Sequence, residues 1–172
     1  MAKARARRSE IDEVRLAVAA YVAAGADESV QRVVTAVHRL ARRLNQWYDR
    51  QLADLDITTG EWSVLSELAR IPDGEALTPS QLAVAANVAP SSMTHRLDRM
   101  AERGLISREP DPNNRTRVLV RMSDQGWQLY ASAIRESNVV EADLISGLAP
   151  DQIDELASLL ERVIAGLDET DP

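Results

Sequence analysis

The chain has 172 residues, a net charge of −7, two histidines and no cysteine. That length fits one domain, or one domain extended by helices that pair between chains, and 45% hydrophobic residues suffice for a core. The absence of thiols excludes disulfides, thiol redox sensing and cysteine-ligated metal, and the longest apolar run, around Leu16 to Ala24, is too short and too alanine-rich to span a bilayer.

Residues 1–10 carry Lys3, Arg5, Arg7 and Arg8 without an apolar anchor, which predicts a solvated basic arm, with phosphate contact as the alternative. No apolar stretch and cleavage site follow it, so no secretory signal is expected and the chain is read as cytoplasmic. Ile11 to Ala24 reads as a helix with Val14, Val18, Tyr21 and Val22 on one side, ended by Gly25. Asp27 to Leu55 holds a second helix, in which Val30, Val33, Val37, Leu40, Leu44 and Trp47 recur at threes and fours. His38 lacks a ligand partner nearby and reads as structural. Thr58-Thr59-Gly60-Glu61 has the pattern of a capping box leading into a helix from Trp62 to Leu68, and Ile71-Pro72-Asp73-Gly74 ends it.

The most informative stretch follows. Thr78, Pro79 and Gln81 fit the start of a short helix whose inward face is Leu82, Ala85 and Ala86. Asn87-Val88-Ala89-Pro90 breaks it and opens another. There Met93, Leu97 and Met100 form one apolar stripe, and Gly104 ends the helix where positive φ is wanted. Ser91, Ser92, His95, Arg96, Arg99 and Arg103 occupy its other faces, so the pair reads as a helix-turn-helix with a recognition helix. Leu105 to Arg108 and Arg117 to Met122 alternate like strands around an Asp-Pro-Asn-Asn turn. Val118, Val120 and Met122 would face inward, with Arg117 and Arg121 outward and Arg115 at the tip, a basic wing beside the recognition helix. Ser123 can cap a long helix to about Ser146, with Trp127, Tyr130, Ile134 and Leu144 as its apolar points. In the last helix Ile153, Leu156, Leu160, Val163 and Leu167 form a coiled-coil-like seam that one small domain cannot easily bury, which suggests a partner helix.

The blocks LTPSQLA, MTHRLDRMAERGLISR, DPNNRTRVLV and MSDQG resemble the DNA-binding core of the MarR (multiple antibiotic resistance regulator) family. With flanking helices in place, the resemblance runs from about Ser29 to Leu167. It implies a mainly α (α+β) winged helix-turn-helix with a two-stranded wing and flanking dimerisation helices. In those terms 1–10 is the basic arm, 11–57 the N-terminal dimerisation helices, 58–123 the DNA-binding domain and 124–172 the C-terminal dimerisation helices. Two departures from the family pattern are visible. Its wing commonly has Asp-x-Arg where this chain has Asn114 and Thr116, and Ala89 stands where a serine usually caps the recognition helix. The missing cap should cost about 1 kcal/mol of helix stability unless another group supplies it.

Charge is unevenly divided. From Asp124 onward eleven acids face only Arg135 and Arg162, whereas from Asn87 to Ser123 seven arginines face Asp98, Glu102, Glu109 and Asp111. A local basic surface, more than whole-chain charge, makes a nucleic-acid footprint, and the acidic end would steer DNA toward it. Ser91, Ser92, His95, Arg96, Arg99, Arg115 and Arg117 are therefore the expected DNA contacts, arginine being able to read guanine bidentately. Pairing of Arg99 or Arg103 with an acid is the competing expectation.

By resemblance, two chains form a homodimer across a two-fold axis and read a pseudo-palindromic operator as a repressor, relieved by a small aromatic or phenolic effector. The expected effector site is Trp62, Ser63, Ser66, Arg70, His95 and Arg96. The GEWSVL and MTHRLDR blocks and the extra first helix also look like the family's urate-responsive branch, with Arg70, Arg96 and Arg108 at matching places. Ser63 is not the acid of that branch, and the first helix has no tryptophan, which argues against urate itself. The simpler role of Trp47, Trp62 and Trp127 is core packing. No linked catalytic set, metal spacing or Gly-rich phosphate loop is present, so neither enzyme activity nor a cofactor is expected. A winged helix used for protein–protein contact, without DNA, is the alternative function.

Overall fold

The computed structural model describes residues 9–72 and 75–168, without the side chains of Arg115 and Asp168. The expected arm thus lies outside the described residues up to Arg8, as do Asp73 and Gly74 of the loop; Glu10 is already helical. The chain divides into two compact units, one ending at Thr59 and the other starting at Gly60.

The first unit holds α1 (Glu10–Ala23) and α2 (Glu28–Asp54). Ser9 caps α1 by accepting the Asp12 amide at 3.2 Å, and Gly25, at φ +98°, lets the chain reverse. Asp27 caps α2, accepting the Ser29 hydroxyl at 2.6 Å and the Val30 amide at 3.0 Å. These two bonds favour the carboxylate and hold the Asp27 carboxyl below its ordinary value. α1 packs along α2. Val18 is the buried residue of α1, and Glu10 pairs with Arg39 and, at 3.8 Å, with Arg43. Tyr21 and Val22, expected on the same apolar side, stay exposed, as do Val30, Val33, Val37 and Leu40 of α2. Those apolar spacings are the expected ones, but this chain alone does not cover them.

In the second unit the order is α3 (Thr59–Arg70, opening at the boundary), α4 (Pro79–Ala85), α5 (Pro90–Glu102), β1 (Ile106–Asp111), β2 (Asn114–Met122), α6 (Asp124–Ile145) and α7 (Pro150–Asp168). The core is Val64, Leu65 and Leu68 of α3, Leu82 and Ala83 of α4, Met93, Leu97 and Met100 of α5, then Leu105, Ile106 and Val120. Each large apolar side chain buried there is worth about 1.5–3 kcal/mol, far more than any one polar contact at the surface. Thr78 and Gln81 form a reciprocal capping box on α4: the Gln81 amide donates to Thr78 Oγ1 (3.3 Å) and the Thr78 amide to Gln81 Oε1 (2.8 Å). The inward face of α4 is Leu82 with Ala83; Ala85 is exposed, contrary to expectation. A helix of seven residues is oriented by what it packs on, here α5 and the end of β2, more than by its own periodicity. Asn87 turns the chain at φ +48°, a conformation that asparagine tolerates.

The hairpin pairs Ile106 with Met122, Arg108 with Val120 and Asp111 with Asn114, with an irregularity at Pro110/Asp111. The strands are longer and the turn tighter than the alternation alone suggests. Asp111 accepts the Asn113 amide at 2.8 Å, and Asn114 accepts the amide (3.1 Å) and hydroxyl (2.7 Å) of Thr116. Asn114 and Thr116, the wing's departures from the family pattern, thus bond to each other and shape its return. Leu77 adds a bridge: the Val120 amide donates to its carbonyl at 2.8 Å and its own amide to the Val120 carbonyl at 3.2 Å. Of the three inward residues expected on β2, Val120 is buried, and Val118 and Met122 are half-buried.

Ser123 caps α6 by accepting the Gly126 amide at 3.0 Å, and its hydroxyl donates to the Gly104 carbonyl at 2.5 Å. The Ser123 amide donates to the Leu105 carbonyl at 3.1 Å, so the end of α5 is bonded to the start of α6. Gly126, Ala133 and Ser137 form the buried side of α6; Trp127, Ile134 and Leu144, expected as its apolar points, are partly exposed. Trp62 stacks on Tyr130 (centroids 4.9 Å apart, planes 20° apart), and Trp127 meets Tyr130 edge-on at 5.9 Å. On α7 the seam residues Leu156, Leu160, Val163 and Leu167 are all exposed.

Candidate nucleic-acid interface

α5 has two sharply different sides. Met93, Leu97 and Met100 are fully buried, which fixes the helix on the core, while Ser91, Ser92, His95 and Arg99 are exposed on other faces. Ala89 takes the N-cap position at φ −62°, ψ 143° with no side-chain cap, as its apolar methyl requires. Pro90 follows at the first helical position, where its missing N–H is harmless. Thr94 bonds the Pro90 carbonyl within the helix at 3.0 Å.

The arginines divide by destination. Arg96 is half-buried, with its guanidinium over the start of α3: a methyl group on Gly60 would lie 2.6 Å from Arg96 Cζ. Arg103 Nη1 donates to Glu61 Oε1 at 3.5 Å, and the Glu61 side chain is only 4% exposed. Arg108 of β1 pairs with Asp98 of α5, tying wing to recognition helix. Arg117 is exposed, 3.9 Å from the Asp111 carboxylate. Arg121, expected to face outward, is half-buried and donates to the Glu75 carbonyl at 2.8 Å. Arg99 is exposed and, among the described residues, makes no ion pair. The Arg115 backbone lies in β2, and its side chain is outside the described residues.

The residues expected at an effector site are only partly assembled. Arg96 reaches the first turn of α3, two residues ahead of Trp62. Trp62, Ser63 and Ser66 are half-buried on that helix, and one face of Trp62 is covered by Tyr130, which is packing. Arg70 is exposed and pairs with Glu67 at 2.7 Å, whereas His95 is exposed on α5. Sequence reasoning missed Gly60 and Glu61 as seats for the arginines of α5. The available signal was the seven-residue spacing of Arg96 and Arg103, which puts both on one side of the helix.

Among the described residues no helix is long and apolar enough to cross a membrane. Residues 55–115 match the profile described as the MarR family. The chain is 31% identical over 135 residues to an uncharacterized HTH-type (helix-turn-helix) transcriptional regulator of Mycobacterium leprae, covering 78% of this chain and 90% of that one. It is 27% identical over 131 residues to the HTH-type transcriptional regulator PecS of Dickeya dadantii (strain 3937), covering 76% and 79%. Its fold resembles that of a MarR family protein from Bacillus stearothermophilus, with a TM-score of 0.73 and 21% identity over 84% of this chain and 99% of that one. Both sequence relatives are named as transcriptional regulators. The chain belongs to the MarR family of winged helix-turn-helix, DNA-binding transcriptional regulators.

Proposed function

We propose that the protein is a homodimeric, ligand-responsive repressor of a pseudo-palindromic operator. The observation that carries the DNA-reading surface is the exposed polar side of α5, set against its fully buried side. Ser91, Ser92, His95 and Arg99 would face the major groove, and Arg115 and Arg117 of the wing would lie along the backbone or minor groove. Arg96 is left out of the base-facing set because its guanidinium rests on α3. Dimerisation is supported by the apolar stripes that α1, α2 and α7 each leave in water, Val163 being 61% exposed. Such stripes are what a partner helix covers. A two-fold dimer places its recognition helices about one DNA turn apart. Residues 11–57 and 124–172 would then be the dimerisation regions, and 58–123 the reading head.

For the effector, a small aromatic or phenolic molecule is proposed near Trp62, Ser63, Ser66, Arg70, His95 and Arg96. By shifting the spacing of the two recognition helices, it would favour a state that no longer fits the operator. The test is fluorescence anisotropy with duplex DNA from upstream of the protein's own gene, beside a scrambled duplex, at several salt concentrations. The expected result is a wide margin for the upstream duplex, with log affinity falling steeply with log salt. Absence of binding to either duplex at low salt would sink the reading and favour a protein-contact role for the winged helix.

A further inference from the structure

Counting arginines overstates how many can read DNA. Of those described on α5 and the wing, Arg96 lies on Gly60, and Arg103 on the buried Glu61. Arg108 is held by Asp98, Arg117 stands beside Asp111, and Arg121 bonds the Glu75 carbonyl. A guanidinium committed to a protein carboxylate or carbonyl must give up that bond before it can grip a base edge, and a buried acid left behind is costly. Arg96 makes no such bond but is half-buried with its guanidinium packed over Gly60, whereas Arg99 faces neither constraint. It is exposed, makes no ion pair among the described residues, and follows Ser92 and His95 at intervals of three and four, along one outward line of the helix.

We infer that Arg99 is the specificity-determining arginine of each half-site, reading one guanine through its N7 and O6, while Arg96 and Arg103 are positioning residues that hold the recognition helix on the first turn of α3. This rests on the DNA-binding reading above. The chemistry favours guanine because the planar fork of arginine matches its two major-groove acceptors, whereas serine and histidine on the same line offer less selective single contacts. Gly60 and Glu61 gain a role as well: the missing side chain of one leaves room for the Arg96 guanidinium, and the buried carboxylate of the other holds Arg103. The helix therefore presents one selective cation in place of three unselective ones.

The test is selection from a pool of duplexes with randomised positions, using the full-length protein and its Arg99→Lys, Arg96→Gln and Arg103→Gln variants, followed by titrations at several salt concentrations. The wild type should select a two-fold motif with one strongly preferred guanine per half-site. Arg99→Lys keeps the charge but loses the fork, so preference at that position should fall on the order of tenfold to a hundredfold. Its salt slope and the rest of the motif should be unchanged. Arg96→Gln and Arg103→Gln should keep the guanine preference, with any loss of affinity spread evenly over all sequences and accompanied by a lower Tm. The inference is overturned if Arg99→Lys retains the full motif, if the wild-type motif has no such guanine, or if the preference disappears with Arg96→Gln or Arg103→Gln instead. A wild type that binds no duplex would overturn the DNA-binding reading along with it.

Discussion

The winged helix and the long helices that flank it solve the burial problem in opposite ways. From α3 to β2 the large apolar side chains of the core are wholly inside: Leu65, Leu82, Met93, Leu97, Met100 and Val120 leave essentially nothing to water. Three of its arginines, Arg103, Arg108 and Arg117, have carboxylate partners within the same unit. On α1, α2 and α7 the same kinds of residue recur with the same helical spacing, yet many of them, among them Val33, Leu40 and Val163, lie in the open. Periodicity therefore reports that a face is meant to be covered, without reporting by what. One region is complete as a single chain; the other has the surface of a half-built core.

Charging the open side should have the largest effect. Leu160→Glu combined with Val163→Glu should leave the winged helix folded but make the chain monomeric by sedimentation equilibrium. Operator affinity should drop about a hundredfold or more, because two linked half-site contacts become one. A double variant that stays dimeric would move the interface off α7. Next comes the closed side: Leu97→Ala should cost about 2–5 kcal/mol in urea unfolding, since the cavity lies where the core cannot easily collapse. A loss under about 1 kcal/mol would mean that the core is looser than its burial indicates. Gly126→Ala tests the bonded end of α5, because the added methyl would sit 2.1 Å from the Leu105 carbonyl oxygen, which is backbone and cannot swing away. About 1–3 kcal/mol should be lost, with the wing's amide signals shifting most. The smallest effect belongs to the open side. Asp27 titrates below its usual value because the Ser29 hydroxyl and Val30 amide favour the carboxylate, so its contribution is present at neutral pH and fades as acid protonates it. Asp27→Ala should lower Tm slightly at neutral pH, and the difference from wild type should shrink as the pH is taken below the ordinary aspartate range.

What could be read in the sequence was what depends on near neighbours. The Thr78–Gln81 box, the Ser123 cap, the positive φ of Gly104 and the stripe of Met93, Leu97 and Met100 are each settled within one or two helical turns. Where prediction slipped, the deciding partner was distant in the chain. Ala83 took the inward place expected of Ala85 because a short helix is oriented by its neighbours. Arg121, expected outward, found the Glu75 carbonyl, 46 positions away; Arg103 met the competing expectation of pairing with an acid, but the acid is Glu61, 42 positions away. Local spacing put these arginines off the apolar stripe but could not choose between solvent and a partner distant in the chain. The expected DNA-facing set was therefore legible as a face of a helix, and only in part as a set of free side chains.

The bare N-terminus of α5 has a consequence for hydrogen exchange. With Ala89 in the cap position and Pro90 carrying no N–H, the amides of Ser91 and Ser92 begin the helix with no side-chain acceptor to shield them. The Met93 amide, bonded to the Ala89 carbonyl at 3.1 Å, is the first to be tied down. In the free protein those two amides should trade their protons for deuterium nearly as fast as a loop does, on a helix whose other side is locked in the core. Once a duplex phosphate settles over them they should slow sharply, so one pair of amides would mark the moment at which the reading head closes on its site.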